Sequence, residues 1–251
     1  MPNVKLLIEY DGSKFHGWQK QPGLRTIQEE LEKAIKIVLR SEAGGVQISH
    51  LTASGRTDSG VHARGQVVNF QADQEIDLLR FKHSVSSLLR EELAVLEADY
   101  IHDTFNACRD ATSKQYTYTM LYRISPAVLD YGRAWHIGRE LDLELISREA
   151  KSLEGVHDFQ SLRASGCAAK TSIKEVFSSQ IIVAPPYVKY RVVGKGFLKQ
   201  MVRNIVGTLI DISDKKIEIG SMLELLELRD RRKAGVTAPA HGLCLDWVKY
   251  D

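Results

Sequence analysis

The sequence predicts an α+β fold built from two subdomains of split βαβ type, each with an antiparallel sheet. Two observations support this prediction. Strand-like runs and amphipathic helical runs follow one another in a similar order in both halves of the chain. Pairs such as Asp-Gly and Pro-Pro separate these runs, as turns do. A chain of 251 residues is long enough for two subdomains of about 125 residues, each with its own core.

The first half reads strand, helix, strand, strand, helix, strand. Residues 4–10 alternate in hydrophobicity and end at Asp11-Gly12, which is typical of a strand followed by a turn. Thr26 and Glu29 form a capping box ahead of apolar residues at helical spacing. The predicted elements are strands 4–10, 46–53, 66–70 and 95–101, helix 27–39, and helix 78–90 with Phe81, Val85, Leu88 and Leu89 inward.

The second half has a similar order of elements but no repeat of the amino-acid sequence. Asp142 precedes a helical run as an N-cap residue does, and Pro185-Pro186 separates two strands of a predicted hairpin. This order matches ferredoxin-like and RRM-like domains. We expect subdomains 1–104 and 105–251 with a cleft between them. The predicted elements are strands 115–122, 172–183, 187–193 and 243–250 and helices 143–153, 198–212 and 221–228.

The composition is typical of a soluble globular protein, with 43% hydrophobic and 26% charged residues. No apolar run approaches the about 20 residues of a membrane helix, and the N-terminus lacks a signal-peptide pattern. Cys108, Cys167 and Cys244 lie far apart without metal-binding spacing, so we expect reduced thiols, a cytoplasmic protein and no metal site. A net charge of +2 neither demands nor excludes a polyanionic partner.

Residues 55–63 read Gly-Arg-Thr-Asp-Ser-Gly-Val-His-Ala and precede a predicted strand. Glycines on both sides of Asp58 allow the backbone to turn sharply there. Arg56, two residues away, favours the ionised form of the Asp58 carboxylate, which suits a nucleophile or a general base. His62 in the same run is interpreted as a hydrogen-bonding residue that fixes the loop.

Two other interpretations of Asp58 are open at this point. An aspartate before Ser-Gly is ordinary turn chemistry, in which the side chain bonds its own backbone. Asp58-Ser59-Gly60 also matches the short signature of aspartic proteases, which need two carboxylates that share one proton. The chain has no second Asp-Ser-Gly or Asp-Thr-Gly, so only a dimer could supply the partner.

Three further stretches could carry chemistry. Alternation places Tyr116 and Tyr118 on one face of a strand, where tyrosines either pack in the sheet or stack on an unstacked base. Arg203 lies on an apolar helix that follows Gly194 and Gly196, on a face other than that of the core positions, where an exposed arginine would simply be solvated. Residues 235–245 read as a turn leading into a core strand.

These motifs resemble one family closely. Residues 55–62 resemble Gly-Arg-Thr-Asp-(Ala/Ser)-Gly-Val-His, the hallmark of the TruA family of transfer-RNA pseudouridine synthases. Residues 114–118 resemble its Lys/Arg-x-Tyr-x-Tyr motif, and residues 237–245 its Thr-Ala-Pro-x-x-Gly-Leu-x-Leu motif. With further matches at 10–19 and 155–159, the resemblance spans nearly the whole chain.

The resemblance implies a pseudouridine synthase fold with a central active-site cleft, a tRNA substrate modified at position 38, 39 or 40 of the anticodon arm, a homodimer and no cofactor. Asp58 would be the catalytic nucleophile or base. Tyr116 would pack on the target uracil and Leu243 would line its pocket. Arg203 would pair with Asp58, and Arg56 would fill the gap left by the flipped nucleotide.

The chain departs from the family pattern in two places. Cys108 stands where the family has the arginine of Phe-x-Ala-Arg, and Arg109 follows it; Leu162 stands where an aromatic residue is common. A rival reading is a non-catalytic RNA-binding module, because split βαβ domains also bind RNA through sheet aromatics alone. The basic residues available for an RNA backbone are Lys14, Lys20, Arg25, Arg64, Arg80, Arg109, Arg133, Arg139, Arg163 and Lys170.

Overall fold

The computed structural model describes residues 1–40, 45–218 and 220–251, and it confirms the predicted α+β class with mostly antiparallel sheets. Helices and strands are interspersed along the chain. The strands are β1 (Asn3–Tyr10), β2 (Thr52–Ala53), β3 (His62–Gln71), β4 (Leu93–Ile101), β5 (Ala111–Tyr122), β6 (Trp135–Ile137), β7 (Gly155–Asp158), β8 (Ile173–Ala184), β9 (Tyr187–Gly194) and β10 (Leu243–Tyr250). The helices are α1 (Ile27–Arg40), α2 (Leu78–Leu89), α3 (Leu143–Lys151), α4 (Met201–Ser213) and α5 (Met222–Leu228).

The chain divides into two compact units. Unit 1 comprises Met1–Thr112 and Leu245–Asp251, and unit 2 comprises Ser113–Cys244. The division into 1–104 and 105–251 rests on the order of elements in the sequence and stays a prediction. In the described ranges, no helix combines the length and the apolar character needed to cross a bilayer.

Strand β1 is the centre of the sheet in unit 1. It pairs antiparallel with β3 on one side and with β4 on the other, and the short β2 pairs with β3. The order of elements is that of the predicted split βαβ pattern. Alternation along β1 buries Val4, Leu6 and Ile8 completely, and each such side chain contributes about 1.5–3 kcal/mol to folding.

Residues from both chain segments of unit 1 meet in one apolar cluster. Val67 on β3 packs with Phe105 and Ala107, and Val248 and Tyr250 from the end of the chain pack against them. The Tyr250 hydroxyl donates a hydrogen bond to the Ala107 carbonyl oxygen at 2.7 Å. The last strand therefore covers an apolar cluster of this unit.

Two predictions for unit 1 are wrong in detail. Of the predicted strand 46–53, only β2 and one isolated bridge are present. The Ser49 hydroxyl, in place of a backbone carbonyl, accepts the N–H of Gln71 at 2.9 Å, which interrupts the regular pairing. Leu88 is 51% exposed, because Phe81, Val85 and Leu89 form the buried stripe of α2 at four-residue spacing, and Leu88 lies to one side of it.

Unit 2 contains the strand order β5-β9-β8-β7, in which neighbours are antiparallel, and β6 runs parallel to β5. The predicted hairpin is confirmed, since Ala184 pairs with Tyr187 across the two prolines. Helix α3 contacts β8 and α4. Helix α4 is buried along nearly its whole length, so it forms the apolar centre of the unit.

Helix α4 begins three residues later than predicted, and two short strands were missed. Gln200 adopts a left-handed backbone conformation with φ of 60°, so the regular helix can start only at Met201. Strands β6 and β7 span three and four residues. Runs of this length show too little periodicity to be recognised in a sequence.

Candidate active site

The loop that carries Asp58 in unit 1 lies against the segment that follows β1. The N–H of Trp18 donates to the carbonyl oxygen of Thr57 at 3.0 Å. The N–H of Gly60 donates to the carbonyl oxygen of Phe15 at 3.3 Å. Backbone hydrogen bonds therefore hold the loop on both sides of Asp58. The carboxylate is carried by a fixed turn of the chain.

Two glycines make this close approach possible. Gly17 has φ of +88°, and a Cβ atom there would lie 2.8 Å from the carbonyl oxygen of Thr57. At Gly12 a Cβ atom would lie 2.0 Å from the carbonyl oxygen of Val61. Side chains at either position would push the two segments apart. The motif at residues 10–19 thus serves as the support of the Asp58 loop.

Buried polar side chains add to this support. The hydroxyl of Tyr10 and that of Thr57 share a buried hydrogen bond of 2.8 Å. The Gln66 side chain donates to the Gly55 carbonyl oxygen at 2.8 Å and accepts from the Ser54 hydroxyl at 2.5 Å. Gln66 is fully buried on β3, so it anchors the start of the loop to the sheet.

His62 fixes the other end of the loop, as the sequence predicts. Its Nδ1 accepts the N–H of Gly12 at 3.1 Å, and the carboxylate of Asp11 lies 3.2 Å from the same atom. The side chain is buried. The histidine therefore ties the end of the Asp58 loop to the turn after β1.

Arg56 and Asp58 lie on either side of a buried threonine. Thr57 is 7% exposed, whereas Arg56 is exposed and Asp58 is half-buried. The Asp58 carbonyl oxygen accepts the N–H of Val61 at 3.1 Å, which closes the turn. The loop therefore turns Thr57 inward and leaves its two charged neighbours accessible.

Tyr116 occupies a buried position on β5 in unit 2. Its ring meets that of Phe197 edge to face, with centroids 5.4 Å apart and an angle of 89°. The residue pairs with Val192 on β9, and Tyr118 shares its strand face. The edge-to-face contact fixes the plane of the Tyr116 ring.

Tyr118 anchors the segment that leads into β10. Its hydroxyl donates to the Pro239 carbonyl oxygen at 2.8 Å, and a Cβ atom at Gly242 would lie 2.6 Å from its ring. Burial raises the pKa of Tyr118 far above its ordinary value, so the hydroxyl remains a donor at neutral pH. Leu243, just beyond this contact, is 5% exposed.

Arg203 on α4 holds the same segment from another side. Its Nε donates to the carbonyl oxygen of Ala238 at 2.8 Å, and the N–H of Ala238 donates to the carbonyl oxygen of Arg203 at 3.2 Å. A Cβ atom at Gly207 would lie 1.7 Å from the carbonyl oxygen of Val236. The structure therefore brings Arg203 against the stretch that carries Leu243.

A polar stripe on α4 completes these contacts, and the sequence analysis missed it. The Thr237 hydroxyl donates to Oδ1 of Asn204 at 2.7 Å, and the N–H of Val236 donates to Asp211 at 2.8 Å. Thr208 accepts the N–H of Gly235 at 3.1 Å. The signal was present in the sequence, since 204, 208 and 211 recur at helical spacing in an otherwise apolar helix.

The predicted site residues are therefore distributed over both units. Asp58 and Arg56 belong to unit 1, and Tyr116, Arg203 and Leu243 belong to unit 2. Within the described part of the chain, no group of three or more histidine, cysteine, aspartate or glutamate side chains could hold a metal ion.

Arg109, next to the family's arginine position, is held locally. Its guanidinium binds both carboxylate oxygens of Asp110, at 2.7 and 3.1 Å, and donates to the Thr104 carbonyl oxygen at 2.6 Å. The hydrogen bond from Arg109 lowers the pKa of the Asp110 carboxyl. The Arg109 side chain therefore binds groups of the turn before β5.

Comparison with known proteins identifies a family for this chain. A family model described as tRNA pseudouridine synthase matches residues 6–109 and 150–251. The chain is 41% identical over 251 residues to the tRNA pseudouridine synthase A of Geobacter sp. (strain M21), covering 100% of this chain and 99% of that protein.

Two other relatives match this chain over nearly their full lengths. Identity to the tRNA pseudouridine synthase A of Acetivibrio thermocellus is 39% over 250 residues, with 100% of both chains covered. Identity to that of Syntrophotalea carbinolica is 40% over 253 residues, with 100% of this chain and 97% of the relative covered.

Proposed function

This chain belongs to the tRNA pseudouridine synthase family, a family of isomerases, and we propose that it converts uridine to pseudouridine at positions 38, 39 or 40 in the anticodon stem-loop of tRNA. The observation that carries the proposal is the Asp58 loop. An accessible carboxylate on a turn fixed by the backbone of residues 15–18 suits a catalytic group that must meet a substrate in one geometry.

The reaction is an isomerisation that needs no oxidant or reductant. The N1–C1′ bond of the uridine breaks, the uracil turns, and a C5–C1′ bond forms. C5 loses its proton, and N1 carries a proton in the product. The chemistry therefore requires a charged group at the sugar or ring, a base held out of its stack, and walls that retain the freed uracil.

Asp58 is proposed as the charged group. An ionised carboxylate can attack the sugar at C1′, attack the uracil ring, or act as a base at the sugar. All three roles need the carboxylate in a fixed position beside the nucleoside. The backbone hydrogen bonds that hold the loop support the proposal of a fixed carboxylate.

The remaining proposed roles belong to four side chains. Tyr116, with its ring plane fixed by Phe197, would pack on the uracil, and Leu243 would line the uracil pocket. Arg203 would pair with the Asp58 carboxylate. Arg56, which is exposed, would occupy the space left by the flipped nucleotide, since unstacking costs about a few kcal/mol.

We also propose that the protein acts in the cytoplasm as a homodimer whose two chains contact one tRNA. The net charge of +2 supports this proposal, because a single chain has little excess positive charge for a polyanion. Two chains together can present basic residues from both partners to one RNA molecule.

A tritium-release assay tests the activity. tRNA labelled with tritium at C5 of uridine should release label to water in the presence of the protein, because C5 loses its proton when the new bond forms. A non-catalytic RNA-binding module would bind the tRNA without releasing label. Sequencing of the product for pseudouridine then identifies the modified position, and modification only outside 38–40 would contradict the positional proposal.

A further inference from the structure

Unit 2 contains an open cavity of about 600 Å³, distinct from the residues proposed to act on uracil. One wall is the loop after the 3-10 turn Gln160–Leu162, which includes Arg163 and Cys167. Gln200, at the start of α4, and Arg231 contribute the other walls. The volume lies in the range of small-molecule and nucleotide sites.

The charge of this cavity is positive. Arg163 and Arg231 are in its lining, and the described residues of the lining include no aspartate or glutamate. Neither guanidinium forms an ion pair with any residue in the described ranges. Burial lowers the pKa of Arg231, as expected for a cation without a compensating carboxylate. An anion in the cavity would supply the missing charge.

Both arginines are held in place before any ligand arrives. Arg163 donates from Nη2 to the carbonyl oxygens of Cys167 and Ala169, both at 2.8 Å. Arg231 donates from Nη1 to the carbonyl oxygens of Ala234 and Gly235, at 3.4 and 2.9 Å. Its Nη2 donates to the hydroxyl of Thr237 at 3.0 Å and to Oδ1 of Asn204 at 3.1 Å. Carbonyls and hydroxyls fix these side chains without cancelling their charge, so little side-chain entropy remains to be lost on binding.

The pKa of the Cys167 thiol reflects the same positive environment. Burial raises the pKa of its thiol, but hydrogen bonds from the backbone N–H groups of Lys199 and Ala169, and from Arg163, outweigh burial and lower it. The N–H of Lys199 lies 3.4 Å from the sulfur. Donors from several segments therefore converge on this part of the cavity.

We propose that this cavity binds a phosphate group of the RNA backbone. The proposal rests on the proposed function, because it takes the bound RNA to be tRNA. A phosphodiester carries one negative charge and several acceptor oxygens, which match two fixed guanidinium groups in a lining without carboxylates. The volume of the cavity exceeds that of a phosphate alone and leaves room for the attached nucleoside.

Thiol alkylation measures occupancy directly in the unmodified protein. Iodoacetamide labelling of Cys167 is followed by mass spectrometry, without ligand, with saturating tRNA, and with inorganic phosphate or potassium chloride at equal ionic strength. We expect tRNA to slow labelling of Cys167 at least about fivefold, because a bound backbone covers the cavity. Protection by inorganic phosphate but not by tRNA would overturn the assignment to RNA.

A matched pair of variants tests the charge. Ser165 lines the cavity and is exposed. Ser165→Asp therefore adds a carboxylate to the lining, whereas the asparagine of Ser165→Asn has nearly the same shape as aspartate but no charge. Ser165→Asp should weaken tRNA binding about tenfold and reduce its salt dependence by about one ion. Ser165→Asn should bind within about twofold of the unchanged protein. Equal affinities for the two variants would overturn the proposal.

Tritium release measured in the same samples separates the two proposals. Protection of Cys167 by tRNA without release of label would contradict the proposed activity and support the cavity site. Release of label at the normal rate with Cys167 unprotected would contradict the cavity site alone. Protection together with a selective loss of affinity in Ser165→Asp supports both.

Discussion

The position of Asp58 depends on its neighbours' backbone groups. Thr57 and Gly60 take part in hydrogen bonds with the backbone of Trp18 and Phe15, and these bonds do not involve the Asp58 carboxylate. A change of charge at Asp58 therefore leaves the support of the loop in place. This makes the residue suitable for a clean test of its role.

Asp58→Asn should retain tRNA binding and lose turnover. The amide keeps the shape of the side chain but cannot act as a carboxylate nucleophile or base, so we expect the rate to fall by at least about 10³-fold. Binding is measured by filter retention and turnover by tritium release. Asp103→Asn, at an exposed position of unit 1, is the control. Normal turnover in Asp58→Asn would show that another group performs the reaction.

Arg56→Ala should reduce turnover more than affinity. If Arg56 fills the gap of the flipped nucleotide, its loss should lower the single-turnover rate about 10–100-fold and raise Kd less than about threefold. Arg64 is also exposed, close in sequence and basic, so Arg64→Ala is the matched control. The control should alter affinity and its salt dependence without altering the rate. An effect of Arg56→Ala on affinity alone would indicate a simple phosphate contact.

Among the elements, α4 organises unit 2. It combines a buried apolar surface with a polar stripe that holds residues 235–238 through Asn204, Thr208 and Asp211. Gly207 lies within this contact, where the helix and the carbonyl oxygen of Val236 approach too closely for a side chain. The position of the segment that carries Leu243 therefore depends on the surface of one helix.

Gly207→Ala should destabilise the protein although it lies in a helix. Alanine in a helix is ordinarily favoured over glycine by about 1 kcal/mol, but here its Cβ atom would meet the carbonyl oxygen of Val236. We expect the free energy of unfolding to fall by about 2–4 kcal/mol, measured by urea denaturation. Gly196→Ala is the control, because the described residues beyond its two chain neighbours place no atom within 4 Å of its Cβ position. It should change stability by less than about 0.5 kcal/mol. Stabilisation by Gly207→Ala would contradict the close packing of α4.

At the scale of the whole molecule, two compact units share one chain whose last residues, 245–251, return to unit 1. Val248 and Tyr250 complete the apolar cluster around Phe105. Because the end of the chain helps to bury an apolar cluster of the first unit, the two units cannot be separated by a single cut. Experiments on this protein should therefore use the full chain.

Sedimentation equilibrium should find twice the 28.2 kDa mass of one chain at micromolar concentration. The proposed dimer presents the basic residues of two chains to a single tRNA, and the measurement is made without RNA, so that RNA cannot link two monomers. The same run at higher salt is the control for weak charge-driven association. A monomer at micromolar concentration would contradict the proposed homodimer.

Sequence patterns alone determined the local features of this protein. Alternation along β1, the capping-box pattern before α1 and the turn around the prolines depend on residues close together in the chain, so the α+β class and most elements could be predicted. The motif around Asp58 likewise identified a family that the comparisons confirm. The roles of Asp58, Tyr116, Arg203, Leu243 and Arg56 stay predictions.

Only the tertiary structure decided which segments hold one another. Three features are formed by segments that are distant along the chain. They are the contact of the Asp58 loop with residues 12–18, the contact of α4 with residues 235–238, and the cavity around Arg163 and Arg231. The loss of most of the predicted strand 46–53 has the same origin, since Ser49 bonds Gln71. Hydrogen bonds and steric contacts of this kind depend on the path of the folded backbone, which the local order of residues does not encode.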